Sequence, residues 1–92
     1  MVNNKLNNIR KKLDKLDDKF LILVKKRVKL VNEVLKTKKF KNQIIDKKRI
    51  KKILSNIKRK SQKKNIDIKV TEDIWKSMIN TFIKYEFRNF KK

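Results

Sequence analysis

The feature that most constrains the fold is a series of apolar residues spaced three and four positions apart in the first third of the chain. This spacing places the apolar side chains on one face of an α-helix, and the chain contains no Gly or Pro to interrupt it. The series consists of Leu6, Ile9, Leu13, Leu16, Phe20 and Leu23, and after one charged member, Arg27, it continues with Leu30 and Val34. We therefore predict one helix of roughly 35 residues, about 50 Å long.

Two shorter helices are predicted to follow. A polar stretch, Lys36 to Gln43, separates the long helix from a second helix that begins near Asp46, as its cap or in its first turn. The lysine-rich segment from Lys58 to Asn65 ends this helix, and Thr71, followed by two carboxylates, is expected to cap the third. The apolar faces contain Ile50, Ile53, Leu54 and Ile57 in the second helix, and Ile74, Trp75, Met78, Ile79, Phe82, Ile83 and Phe90 in the third.

The predicted fold class is all-α, with a single domain over residues 1–92 that associates as an intertwined homodimer. The two shorter helices, at about 30 Å each, are too short to cover a helix of about 50 Å. Half of the apolar face of the long helix would therefore stay exposed in one chain. A second copy of the same helix could cover it, which favours a homodimer.

The residue inventory excludes several kinds of catalysis. The chain has no Cys and no His, which excludes disulfides, thiol or imidazole nucleophiles and soft zinc ligands. Carboxylate chemistry, a hard-cation site and electrostatic catalysis by Arg and Lys remain open. No clustered carboxylates indicate a metal, and we expect neither a metal nor a cofactor.

The formal net charge of +21 would ordinarily indicate a nucleic-acid or anionic membrane partner. Residues with A/T-rich codons, such as Lys, Ile and Asn, dominate the chain, and codon bias accounts for much of this charge. The longest apolar run, Phe20 to Val24, is far too short to span a bilayer, and the polar N-terminal segment lacks a secretory signal. We expect a cytoplasmic protein with no membrane partner and no specific nucleic-acid partner.

A few charged residues stand out from the lysine-rich background. Arg27 is the only charge on the apolar face of the long helix, where it either extends to solvent, pairs internally or binds a ligand carboxylate. Glu86 lies on or beside the apolar stripe of the third helix, where pairing with a lysine is the simplest interpretation. Periodicity alone does not distinguish Arg10 and Lys38 from solvent-facing basic residues.

These residues also occur together in one spaced pattern. It reads Leu6-x-x-Ile9-Arg10-x-x-Leu13-Asp14-x-Leu16-Asp17, then Arg27, Lys38, Asp46-x-x-Arg49 and, in the last helix, Glu86. In this pattern the chain resembles the all-helical (type II) chorismate mutase family from Leu6 to Phe90. Only five of the 30 basic residues are Arg, and three of these five lie where the family motif has Arg.

The resemblance implies an isomerase that rearranges chorismate to prephenate in Phe and Tyr biosynthesis, with no cofactor. It implies that Arg10 binds one carboxylate of the substrate from across the dimer interface and that Arg27 binds the other. Lys38 and Glu86 would flank the ether oxygen, and with Arg27 they would be the catalytic residues. Asp46 and Arg49 would line the end that holds the ring hydroxyl, and the apolar walls would be Val34, Ile53, Ile79 and Ile83.

Helix geometry supports a shared site independently. Arg10 and Arg27 are separated by seventeen residues of helix, about 25 Å, which is too far for one small dicarboxylate to contact both. The two arginines of one site must then come from two chains.

The sequence departs from the family pattern at two positions, and two alternative functions stay open. Ile50 replaces a Glu that usually contacts the ring hydroxyl, and Phe82 replaces a common Ser. Isochorismate pyruvate lyases, which share the fold and the basic residues, also resemble this chain at Ile50 and in its aromatic-rich ending. A basic helical nucleic-acid-binding protein is the alternative from a different class, although the lysines are spread over all three helices with few aromatics among them.

Overall fold

The computed structural model describes residues 2–91, and this part of the chain is helical without any β-strand. Helix α1 spans Val2–Thr37, α2 spans Lys47–Lys63 and α3 spans Ile68–Asn89, with a short 3₁₀ turn at Lys41–Gln43 between α1 and α2. The prediction of one long helix followed by two shorter ones is confirmed. Within residues 2–91, no helix has both the length and the apolar character needed to cross a membrane.

The chain divides into two compact units between Val31 and Asn32. The first unit consists of α1 up to Val31, and it exposes the apolar face that the sequence predicts. Phe20 is 56% exposed and Leu23 is 60% exposed, and the other members of this face up to Leu16 are also exposed. A continuous apolar stripe of this kind on a protein surface is typical of a helix that packs against another surface.

The second unit contains the end of α1, α2 and α3, and in it α2 and α3 pack against each other. Asp46 is the N-cap of α2, as predicted, because its carboxylate accepts a hydrogen bond from the backbone N–H of Arg49 at 3.0 Å. The predicted apolar face of α2 is half-buried along its whole length, as are most of the apolar residues of α3. This helical pair is what positions the candidate site residues of the second unit.

A four-residue turn joins α2 to α3. The backbone N–H of Ile66 donates to the carbonyl of Ser61 at 2.9 Å, and that of Asn65 donates to the carbonyl of Gln62 at 3.3 Å. These two bonds are the Schellman pattern of a helix end, in which one residue adopts a left-handed conformation. Asn65, with φ of 56°, takes the place usually held by Gly, because Asn tolerates positive φ better than most residues.

The predicted start of α3 at Thr71 is wrong, because the helix begins directly after Asp67. The Asp67 carboxylate accepts hydrogen bonds from the backbone N–H groups of Lys69 at 2.8 Å and Val70 at 3.2 Å. Thr71 lies one turn inside the helix and is buried, with its hydroxyl 2.8 Å from the hydroxyl of Ser61. The Thr71 hydroxyl therefore links α2 to α3 and does not cap α3.

Candidate active site

Two of the predicted site residues, Lys38 and Glu86, are in direct contact. The ammonium nitrogen of Lys38 lies 3.0 Å from Oε1 of Glu86, and the two side chains are only 16% and 9% exposed. Lys38 directly follows α1, and Glu86 lies near the end of α3. Because little water screens this pair, each charge depends on the other for its stability at this position.

Two ion pairs elsewhere in the described part of the chain are different in kind. Lys69 pairs with Asp73 at 3.1 Å and Lys76 with Glu72 at 2.9 Å, both one turn apart on α3 and open to solvent. The hydrogen bond to Asp73 raises the pKa of Lys69, and the hydrogen bond from Lys76 lowers the pKa of Glu72. Exposed pairs of this kind add little to stability, since water screens them. Substitutions in these exposed pairs can therefore serve as controls for substitutions in the Lys38–Glu86 pair.

The Lys38 ammonium has a second protein partner. It lies 3.4 Å from the backbone carbonyl of Ile44, whose side chain anchors the loop before α2 and is 3% exposed. An ammonium carries three N–H donors, and over residues 2–91 the structure shows protein acceptors for two of them. One donor is thus available for an oxygen atom of a bound molecule.

Lys38 also lines an open groove of about 570 Å³, and Asp46 lies in the same groove. The lining residues are Thr37, Lys38, Gln43, Ile45, Asp46, Lys47 and Lys48. Besides Lys38, which is paired with Glu86, two lysines stand against one carboxylate, so the groove is positive, which favours an anionic ligand. Arg49 lies in the first turn of α2 and is exposed, and its backbone N–H is the donor to Asp46.

The four residues that are predicted to form the apolar walls of the site lie in the same unit but differ in burial. Ile53 of α2 and Ile79 and Ile83 of α3 are half-buried, whereas Val34 near the end of α1 is 50% exposed. The structure therefore supplies apolar side chains on α2 and α3 that are still partly accessible.

The two arginines that are predicted to bind carboxylates lie in the first unit, on α1. Arg10 is exposed and Arg27 is half-buried. Since α1 is an uninterrupted helix, seventeen residues place their Cα atoms about 25 Å apart. One chain therefore does not bring these two arginines together.

The sequence reading missed two contributors to this region, Gln43 and the carbonyl of Ile44. The Gln43 side chain accepts hydrogen bonds from the backbone N–H groups of Lys39 at 2.6 Å and Phe40 at 2.9 Å. A Gln at the third position of a short helical turn, able to bond back to the N-cap N–H, was a usable signal for this contact. The role of the Ile44 carbonyl could not be predicted from the residue type, because every residue has a backbone carbonyl.

A cluster of three or more side chains able to hold a metal is absent from residues 2–91. The charged groups in and beside the groove are the ammonium groups of lysines and the single carboxylates of Asp46 and Glu86. These can bind and polarise an anionic molecule through placed charge.

The part of the chain that the structure describes is thus all-helical, with a largely buried Lys–Glu pair beside a positively charged groove. A family model described as chorismate mutase type II matches residues 9–87, and the chain belongs to that family. The match runs from the first third of α1 to the last turns of α3, so it includes every candidate site residue. Comparison with curated proteins gave no match, and comparison with solved structures gave none either.

Proposed function

We propose that this protein catalyses the rearrangement of chorismate to prephenate, as an isomerase of Phe and Tyr biosynthesis. Membership of the chorismate mutase type II family supports the class of reaction. The observation that carries the proposal is the Lys38–Glu86 contact, which holds an ammonium in a poorly screened position with one donor to spare. A pericyclic rearrangement needs no nucleophile and no proton relay, so it suits a chain without Cys or His.

Lys38 is the main electrostatic catalyst in this proposal. Its remaining N–H donor binds the ether oxygen of the substrate, where negative charge grows as the C–O bond breaks. Glu86 and the Ile44 carbonyl hold the ammonium in place, so little reorganisation is needed when the charge develops. The interaction strengthens in the transition state, and it therefore raises kcat more than it tightens substrate binding.

Arg27 and Arg10 bind the two substrate carboxylates and select the compact, reactive conformer. Because about 25 Å of α1 separates them, Arg27 of one protomer acts with Arg10 of its partner in each site. The exposed apolar face of α1 supports this arrangement, since a second copy of α1 would cover it. We thus propose a homodimer with two shared sites, in which residues 1–92 of each chain act as one domain.

Asp46 and Arg49 are proposed to line the end of the site that receives the ring hydroxyl. Asp46 lies in the groove beside Lys38, but one of its oxygens already accepts the N–H of Arg49 as the helix cap. Ile50, half-buried and next in the chain, offers no acceptor for the hydroxyl. For this reason isochorismate pyruvate lyase activity is the second candidate function.

The experiment that tests the proposal supplies the purified chain with chorismate or isochorismate in separate reactions. Formation of prephenate from chorismate, at a rate well above the uncatalysed rearrangement, is the expected result. Release of pyruvate and salicylate from isochorismate, without prephenate formation, would replace the proposal with the lyase activity. Turnover of neither substrate, together with salt-dependent retention on DNA, would favour the nucleic-acid-binding alternative. The cytoplasmic location predicted from the sequence stays a prediction.

A further inference from the structure

The loop between α1 and α2 controls an atom that touches the proposed catalytic ammonium. The Ile44 carbonyl, 3.4 Å from the Lys38 nitrogen, is a backbone group six residues further along the chain. Its position therefore depends on how residues 39–43 are folded. A lysine side chain has four rotatable bonds, so losing one of two anchors would let the ammonium sample other conformers.

Gln43 closes that loop. Its single side-chain oxygen accepts from two successive backbone N–H groups, those of Lys39 and Phe40, the first two that follow Lys38. The turn continues with backbone bonds from the N–H of Gln43 to the carbonyl of Phe40 at 3.0 Å and from the N–H of Ile44 to the carbonyl of Lys41 at 3.1 Å. Each bond constrains the chain between Lys38 and the Ile44 carbonyl.

Gln43 and its neighbour Ile44 differ in burial. Gln43 is exposed, whereas Ile44 directly after it is 3% exposed. Water can satisfy the N–H groups of Lys39 and Phe40 if the Gln43 oxygen is removed, so the fold should tolerate that loss. The conformation of the loop should change, however, because no other side chain among residues 2–91 bonds to these two N–H groups.

We propose that Gln43 is a positioning residue, which holds the Lys38 ammonium in its active place through the turn of residues 39–43 and the Ile44 carbonyl. This inference rests on the proposed function, because it assigns Lys38 the electrostatic role. Gln43 acts through its oxygen as an acceptor. Gln43→Glu keeps this acceptor, whereas Gln43→Leu has a similar size and removes it.

The test compares the full-length protein with Gln43→Leu, Gln43→Glu and the control Gln62→Leu, which makes the same change at an exposed position of α2. We expect Gln43→Leu to lower kcat for chorismate about tenfold with little change in KM, as loss of transition-state stabilisation requires. Gln43→Glu should restore most of kcat, and Gln62→Leu should behave as the wild type. The kcat is the deciding value, since a new charge beside the groove also affects substrate binding.

Two further measurements need no turnover. In Gln43→Leu, hydrogen exchange at the amides of Lys39 and Phe40 should be at least about tenfold faster. Acetylation of Lys38 by acetic anhydride, followed by mass spectrometry relative to Lys76 in the same sample, should also become faster. Both rates should return towards the wild-type values in Gln43→Glu. These rates test the loop even where the wild type leaves chorismate unchanged, so failure of the proposed function would be recognised separately.

Three results would overturn the inference. The first is unchanged amide exchange or unchanged Lys38 acetylation in Gln43→Leu. The second is a wild-type kcat in Gln43→Leu when the wild type is active. The third is a loss of kcat that Gln43→Glu does not restore, because that result would assign Gln43 a direct contact to the substrate through its amide N–H groups.

Discussion

The Lys38 ammonium and the Glu86 carboxylate meet at 3.0 Å across 48 positions of sequence, and both side chains are largely shielded from water. This contact joins the loop after α1 to the end of α3. A charge held in this way can act on a bound substrate. It also makes the stability of the fold depend on the pair, because removing one partner leaves the other without a compensating charge. Activity and stability should therefore respond differently to substitutions of the pair.

Replacing Lys38 by Met keeps an unbranched side chain and removes the charge. We expect turnover of chorismate to fall by about 100- to 1,000-fold, which is the usual loss when one preorganised donor to a developing charge is removed. Steady-state kinetics measure this effect. The matched control is Lys76→Met, which removes the exposed partner of Glu72 and should leave turnover unchanged. Equal losses in both variants would mean that net charge, and not Lys38, drives the reaction.

The same pair allows stability to be separated from catalysis. Lys38→Met should lower the free energy of unfolding by about 3 kcal/mol, because Glu86 then loses its partner in a largely buried position. Adding Glu86→Leu should recover much of that loss, since two apolar side chains can then pack together, while turnover stays low. Urea unfolding at a fixed protein concentration measures the stabilities. A double variant that regains turnover along with stability would contradict the catalytic role of Lys38.

Ile50 stands where the family that the sequence resembles is expected to have a Glu. Substitution Ile50→Glu supplies an acceptor for the ring hydroxyl at a half-buried position, and we expect kcat/KM for chorismate to rise about tenfold. Ile50→Leu, which keeps the apolar character, is the control and should leave kcat/KM near the wild-type value. If Ile50→Glu lowers kcat/KM while the protein stays folded, the ring hydroxyl does not bind beside position 50.

The hydroxyl pair between α2 and α3 gives a prediction about the fold alone. The hydroxyl oxygens of Ser61 and Thr71 lie 2.8 Å apart. Each hydroxyl also donates to a backbone carbonyl of its own helix, so three contacts share two hydroxyl protons. Thr71→Val should lower the free energy of unfolding by about 1 kcal/mol. Thr81→Val, at an exposed threonine of α3 that bonds only to the carbonyl of Ser77, should have a smaller effect in the same urea experiment. An equal effect of the two variants would show that the buried pair contributes nothing specific.

The long helix and its exposed apolar face were predictable because the signal is local and repeated. Apolar residues recur every three or four positions over the full length of α1, and no Gly or Pro competes with that pattern. Asp46 was recognised as a possible cap because it directly precedes an amphipathic segment. In each of these cases the residues that matter are neighbours in the sequence.

The errors and omissions arose where tertiary contacts outweigh local signals. Thr71, with two carboxylates after it, is a better helix start by composition than Asp67, but its hydroxyl is taken up by Ser61 of the neighbouring helix. Pairing of Glu86 with a lysine was predicted from the sequence, but Lys38 was not identified as that lysine, because 48 residues separate the two. The contribution of the Ile44 carbonyl was not predictable at all, since it depends on backbone conformation and not on residue type.

The proposed active site needs Arg10 and Arg27 from two different chains, and mixing two inactive variants tests this requirement. Arg10→Ala and Arg27→Ala should each lose turnover of chorismate, because each leaves every site of its own homodimer without one carboxylate ligand. After unfolding and refolding together in equal amounts, half of the dimers should be mixed, and each mixed dimer should contain one site with both arginines intact. About one quarter of the wild-type activity should therefore return. A mixture no more active than its separate components, in a sample where mixed dimers are shown to form, would contradict it.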